Sequence, residues 1–178
     1  MDRKKALGYL GSVVNETDAL ILIGATVCGA CSFKESSNVA LLLDEQVDYF
    51  SIMLGLSMIS EKRFFLVCED RYFLRHFGTI LQVAVSKCKN IFIIVMVTEE
   101  YSEYDHLPTI YKGIRSMKGV VFNLGILSHD YTAYLKNKST SKQLSDILKN
   151  TIGPVIGLVT ISDTKLFSNS IETKLMDI

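Results

Sequence analysis

In the stretch Phe64-Phe65-Leu66-Val67-Cys68-Glu69-Asp70-Arg71-Tyr72-Phe73-Leu74-Arg75-His76-Phe77-Gly78, an apolar run gives way to four polar or reactive residues and then to helical spacing. The run at 64–67 has the length and aromatic content of a strand. From residue 72 to 87 the periodicity changes, with Phe73, Phe77, Ile80, Leu81 and Ala84 on one face of an amphipathic helix. Asp70 therefore stands where a strand hands over to a helix, the place from which open α/β sheets present side chains to ligands.

The same alternation extends in both directions. Apolar runs recur at 19–24 (ALILIG), 91–97 (IFIIVMV), 120–124 (VVFNL) and 155–161 (VIGLVTI). Their hydrophobicity is continuous rather than alternating, which marks strands buried on both faces, as parallel sheets require. Helical spacing fills 47–59, 72–87 and 141–149, the last opening on Ser141 as a cap candidate and ending before Gly153-Pro154. Strands and helices in this order predict one doubly wound α/β domain, a mostly parallel sheet with helices on both faces. Ligand-binding loops are expected after Gly24, Val67, Val97 and Leu124.

The 178 residues suffice for one core without staples. With 19 basic and 19 acidic side chains, no long-range field favours nucleic acid or an anionic membrane. The start MDRKKALGYL lacks the apolar core of a secretion signal, and no window reaches the roughly 18 apolar residues of a membrane span, so a cytoplasmic protein is expected. Residues 1–161 read as the domain. The remainder, 162–178, reads as a separable amphipathic segment with Leu166, Phe167, Ile171, Leu175 and Ile178 in helical register, packed on its own domain or docked on a neighbouring subunit.

Several groupings invite a chemical reading and are better explained by packing or solvation. Cys28-Gly29-Ala30-Cys31 follows a strand as redox pairs do, yet the surrounding chain has no thioredoxin pattern, and Cys68 and Cys88 make no second pair for zinc. The acidic run 99–106, with His106, has irregular ligand spacing and suits a solvated loop. His129-Asp130-Tyr131 has no nucleophile assigned to it, so Asp130 is read as a helix cap and the histidine as exposed. His76, beside the apolar face of its helix, is read as a partly buried structural histidine.

Two segments together carry a family resemblance. The strand that ends in Glu69-Asp70-Arg71 resembles the segment of thiamine-diphosphate enzymes in which a strand ends in Gly-Asp-Gly and a helix follows. The next strand, ending Val97-Thr98-Glu99-Glu100-Tyr101 and followed by Pro108-Thr109, resembles the family's Asn-Asn, tyrosine and Pro-Thr half-motif. Met53-Leu54-Gly55-Leu56-Ser57 and Gly153-Pro154-Val155 are similar to its Gly-Leu-Ala helix and last Gly-Pro strand. The likeness is to the diphosphate-binding domain, with the small subunits of sulfopyruvate and phosphonopyruvate decarboxylases as the nearest pattern.

The resemblance implies a thiamine-diphosphate-binding fold and a site in which Mg²⁺, held by oxygen ligands, bridges the cofactor's diphosphate. Carried over, Asp70 is the metal-binding aspartate, Thr98 a replacement ligand whose hydroxyl can still bind Mg²⁺, and Glu100 the residue whose carbonyl completes the set. The departures are equally specific. Glu69 and Arg71 replace the flanking glycines, and Asp44-Glu45-Gln46-Val47 aligns with the Gly-Ser-Met-Gly turn that contacts the cofactor, setting Asp44 and Glu45 against a diphosphate. Asp70, without a metal, is expected to face the cleft near Thr98 and to pair with Arg71 or Arg75.

Two readings follow. In one, the chain binds no cofactor and serves as a structural or partner-binding subunit, associating through the residue 47–59 helix, apolar nearly all round. In the other, it binds thiamine diphosphate and Mg²⁺ jointly with a separate pyrimidine-type domain subunit and decarboxylates a 2-oxo acid. Assembly, with itself or with that partner, is expected in both.

Overall fold

The computed structural model describes residues 2–30, 38–98, 100–101, 107–108 and 113–162. Six parallel strands form one sheet in the order β2-β1-β3-β4-β8-β7. They are β1 (Ala19–Ile23), β2 (Val39–Leu42), β3 (Phe64–Glu69), β4 (Ile91–Val97), β7 (Leu127–Asp130) and β8 (Val155–Thr160). A two-residue antiparallel ladder, β5 (Glu100–Tyr101) with β6 (Leu107–Pro108), stands apart.

Period-2 alternation sends neighbouring side chains of one strand into different cores. In β4, Phe92, Ile94 and Met96 join one buried cluster and Ile91, Ile93, Val95 and Val97 the other. Residues Phe65 and Val67 of β3 follow the first, Phe64, Leu66 and Cys68 the second. The first core is closed by α1 (Arg3–Val13) and α7 (Lys138–Asn150), through Ala6, Leu7, Leu10, Leu144 and Leu148. The second is closed by α3 (Tyr49–Ile59), α4 (Asp70–Arg75), α5 (Phe77–Ser86) and α6 (Gly113–Asn123). Gly157 of β8 lies in the first face, where a Cβ would stand 2.4 Å from the ring of buried Tyr131, so the ring needs the space that a side chain would take.

The doubly wound sheet matches expectation, and β1, β3, β4 and β8 lie where continuous hydrophobicity puts them. Residues 120–124 do not form a strand. Residues 120–123 close α6, whose Met117 and Val121 are buried one turn apart, and Leu124 leads into Gly125, at φ 67°, which turns the chain. A short apolar run cannot by itself separate the two periods. The strand on that side is the polar β7, Leu-Ser-His-Asp, at the sheet edge.

The residue 72–87 helix is two helices broken at His76 (φ −102°, ψ 26°), and Leu81, expected inside, is 45% exposed while Val83 is buried. α7 begins earlier than 141, capped by Asn137, whose side chain accepts the Thr140 N–H at 3.0 Å; Ser141 is buried within the helix.

At the strands' N-terminal ends one guanidinium joins several elements. Arg63 Nε and Nη2 donate to both carboxylate oxygens of buried Asp18 at 3.0 and 2.7 Å, and Nη1 donates to the Leu148 carbonyl at 2.9 Å. The same group lies 5.4 Å above the Phe65 ring. Arg63→Ala leaves Asp18 buried without its fork, and urea unfolding is expected to show a loss of about 3 kcal/mol, with Arg63→Lys restoring only part. A loss under about 0.5 kcal/mol, the worth of a surface pair, contradicts this role.

Candidate functional site

The chain turns from β1 to β2 on one side of the sheet and continues to β3 and β4 on the other, so the order reverses between β1 and β3. The crevice outside their carboxyl ends is where such sheets take ligands. Gly24 follows β1 there at φ 95°, a conformation that L side chains rarely adopt. Glu69-Asp70-Arg71 follows from β3, and Thr98 from β4.

Asp70 is 1% exposed and begins α4 at the end of β3. Its Oδ1 accepts the Arg71 N–H at 2.8 Å, and Oδ2 accepts the Thr98 N–H at 3.4 Å. The Thr98 hydroxyl stands 3.5 Å from Oδ1. The structure thus brings together the aspartate and threonine that the resemblance pairs as ligands. Compensation for Asp70 differs from expectation, coming from backbone N–H groups rather than an arginine head.

The Arg71 guanidinium reaches across the crevice to Glu45 instead, Nη2 to Oε2 at 2.7 Å, both side chains largely shielded. The Glu45 carbonyl accepts from Arg75 Nη1 at 3.2 Å and lies 3.5 Å from His76 Nε2. The other Glu45 carboxylate oxygen lies over Gly24, where a Cβ would meet it at 2.6 Å. Asp44, expected beside it in the crevice, is exposed and accepts the Gln46 N–H at 2.8 Å within its own turn. A short polar side chain closes its local turn more cheaply than it reaches a distant partner.

Glu69, two elements away, pairs with Arg3 Nη2 of α1 at 2.5 Å. Burial pushes the Glu69 carboxyl up, with the Arg3 guanidinium opposing. Asp70 is pushed up to about 6 by burial and by the charge of Glu69, with the Thr98 and Arg71 hydrogen bonds opposing. Cys68, buried between these acids, has its thiol raised well above the usual value, first by burial.

The loop before α3 is fixed by further contacts. The Tyr72 hydroxyl donates to the Val47 carbonyl and accepts the Tyr49 N–H, each at 2.9 Å. Asp48 caps α3 and accepts from Thr79, with His76 Nδ1 at 3.7 Å. His76 is partly buried, as expected, and its ring lies tilted against that of Tyr72, centroid to centroid 4.4 Å.

Glu100 lies in β5 opposite Pro108, and its side chain, Glu99, residues 102–106 and Thr109 are outside the described residues, as are Cys31 and 163–178. Cys28 is buried, and its thiol donates to the Leu22 carbonyl at 3.3 Å. Half-buried His129 stacks on Tyr131, and Asp130 accepts the Thr132 N–H at 3.0 Å, closing a turn rather than capping a helix, with Lys118 at 3.4 Å. Among the described residues, no group of three His, Cys, Asp or Glu is placed to hold a metal ion, and no helix is long and apolar enough to cross a membrane.

Sequence reasoning missed Arg3 as the partner of Glu69 and missed that Glu45 reaches over Gly24. Arg71 was expected beside Asp70 and instead pairs with Glu45, and nothing local links Arg3 to a carboxylate 66 residues on.

No family model and no curated protein matches the sequence. Among solved structures, the fold is similar to the X-ray structure of a "putative thiamin diphosphate-dependent enzyme isolated from Mycobacterium smegmatis", with a TM-score of 0.66 at 12% identity. The match covers 90% of this chain and 32% of that one, so the chain spans about a third of its neighbour's length. The chain shares its fold with that part of the neighbour.

Asp70 gives the site a pH signature. Its folded value, about 6, lies above the ordinary 3.8, so its neutral form favours folding. That stability is complete below about pH 4 and is lost as pH rises through about 6. Asp70→Asn is expected to match the wild type in urea unfolding at pH 4 and to exceed it by about 2–3 kcal/mol at pH 7.5. Equal stabilities at both pH values contradict the assignment.

Proposed function

We propose that this chain is a cofactor-free relative of a diphosphate-binding domain, acting as a structural subunit that assembles with a second copy of itself. The observation that carries the reading is the outer face of α3 and α5. Neither helix contains an Asp, Glu, Lys or Arg. Ile52 (48%), Met58 (67%), Ile59 (83%) and Val85 (80%) stand exposed on them. A solvent-facing helix ordinarily carries charge on its outer side, and a contiguous apolar patch marks an interaction surface. An uncharged face also meets its own copy about a twofold axis without like-charge conflict.

The crevice supports the absence of cofactor. A diphosphate entering between β1 and β3 meets the Glu45 carboxylate over Gly24, with Glu69 and Asp70 close behind, and charge repulsion in a shielded site is costly. The residues present do not fit that ligand.

The second reading rests on the juxtaposition of Asp70 and Thr98. It makes the chain a divergent catalytic subunit, binding Mg²⁺ and thiamine diphosphate with a separate pyrimidine-type domain subunit to decarboxylate a 2-oxo acid.

Light scattering at micromolar concentration is expected to give at least twice the chain mass of 19.9 kDa, falling to the monomer in Ile52→Glu/Ile59→Glu. Met53, on the same helix, is 8% exposed and packs into its own core, so it is the wrong position for this substitution. A wild-type monomer contradicts self-assembly. Calorimetry with thiamine diphosphate and Mg²⁺ is expected to show no binding; a micromolar isotherm favours the second reading.

A further inference from the structure

The β2–α3 loop is held by the same groups that a phosphate would engage. Arg71 and Arg75 sit one turn apart on α4, and both address Glu45, the first at its carboxylate (2.7 Å) and the second at its carbonyl (3.2 Å). Guanidinium groups bind carboxylate and phosphate by the same planar fork. Gly24 admits the carboxylate oxygen to a point that any side chain at position 24 would block, at 2.6 Å from its Cβ. Close approach of an anion to a glycine backbone is the usual reason for a glycine at such a turn.

The neighbouring acids are separately satisfied. Glu69 pairs with Arg3 at 2.5 Å, and Asp70 takes N–H groups from Arg71 and Thr98. Glu45 is the carboxylate that reaches over Gly24, supplied by a loop rather than by a core strand.

From this geometry we infer that Glu45 is an internal ligand: its carboxylate fills an anion site made by Gly24, Arg71 and Arg75, and its removal opens that site to a phosphate group. The inference deepens the cofactor-free reading and rests on it, because it names what stands in the crevice in place of a cofactor. It is independent of the assembly face, which lies on the outer sides of α3 and α5.

The test follows melting temperature against inorganic diphosphate, with potassium chloride at matched ionic strength as control. The proteins are the wild type, Glu45→Ala, Glu45→Gln and Glu45→Ala/Arg71→Met, each checked for folding by circular dichroism. The wild type is expected to give no shift beyond the salt control. Glu45→Ala is expected to rise by roughly 3–5 °C at ten times its dissociation constant, and the double variant to lose most of that rise.

If Glu45→Ala does not fold, Glu45→Gln, which keeps the shape without the charge, is expected to show a smaller rise of the same sign. A folded Glu45 variant that ignores diphosphate overturns the inference, as does one that responds no more than the wild type. A wild type that binds thiamine diphosphate and Mg²⁺ overturns the cofactor-free reading instead, so the two failures are told apart.

Discussion

Four central strands buried on both faces leave charge nowhere to go except beyond their ends. The buried charged side chains among the described residues obey this limit: Arg3, Asp18 and Asp70 all lie at the sheet's rims. At the N-terminal rim the solution is a bidentate pair, Arg63 with Asp18, stacked on Phe65. The C-terminal rim must place three acids, Glu45, Glu69 and Asp70, and it does so with two guanidiniums and backbone N–H groups. Leaving one member of such a set unpaired costs several kcal/mol, so the elements that supply the partners are tied to the rim.

This arrangement explains how α1, the β2–α3 loop and α4 come to meet. Arg3 is brought 66 residues along the chain to Glu69, and Arg71 spans 26 residues to Glu45. The loop then leads into α3 through Asp48 and Tyr72, so the crevice contacts and the placement of the uncharged helix are parts of one structure. A domain of this fold ordinarily keeps the crevice for a ligand. Here the same space is spanned by an intramolecular ion pair between Arg71 and Glu45.

Legibility in the sequence followed burial. Strand β4, buried throughout, coincides with its apolar run, and Asp70 and Thr98 were placed correctly because they sit at the ends of such runs. Edge strand β7 was not seen, since a half-exposed strand needs no continuous hydrophobicity and it reads Leu-Ser-His-Asp, whereas β2, Val-Ala-Leu-Leu, was passed over although its short run is apolar. The run at 120–124 misled because Val120, Val121 and Phe122 suit either period, and only Met117, one turn before Val121, and Gly125 mark it as a helix end. Helix α1 was missed behind a basic start and two glycines, although Asp2 caps it and Ala6, Leu7 and Leu10 are buried. At the site, the acidic turn was legible as a conflict with a diphosphate, but its resolution was not. Which of Asp44 and Glu45 turns inward, and which arginine receives it, depends on tertiary approach that no local pattern encodes.

The fold and the site therefore point in different directions, and the pair Glu45 with Arg71 is where they part. Its energetic coupling is the most direct quantity to measure, by a double-mutant cycle of Glu45→Gln and Arg71→Met in urea unfolding at neutral pH. A pair shielded as this one is, with side-chain exposures of 17% and 19%, is predicted to couple by about 1–2 kcal/mol in favour of the folded state. A coupling indistinguishable from zero, as for a solvated surface pair, would mean that the crevice is not held closed from within.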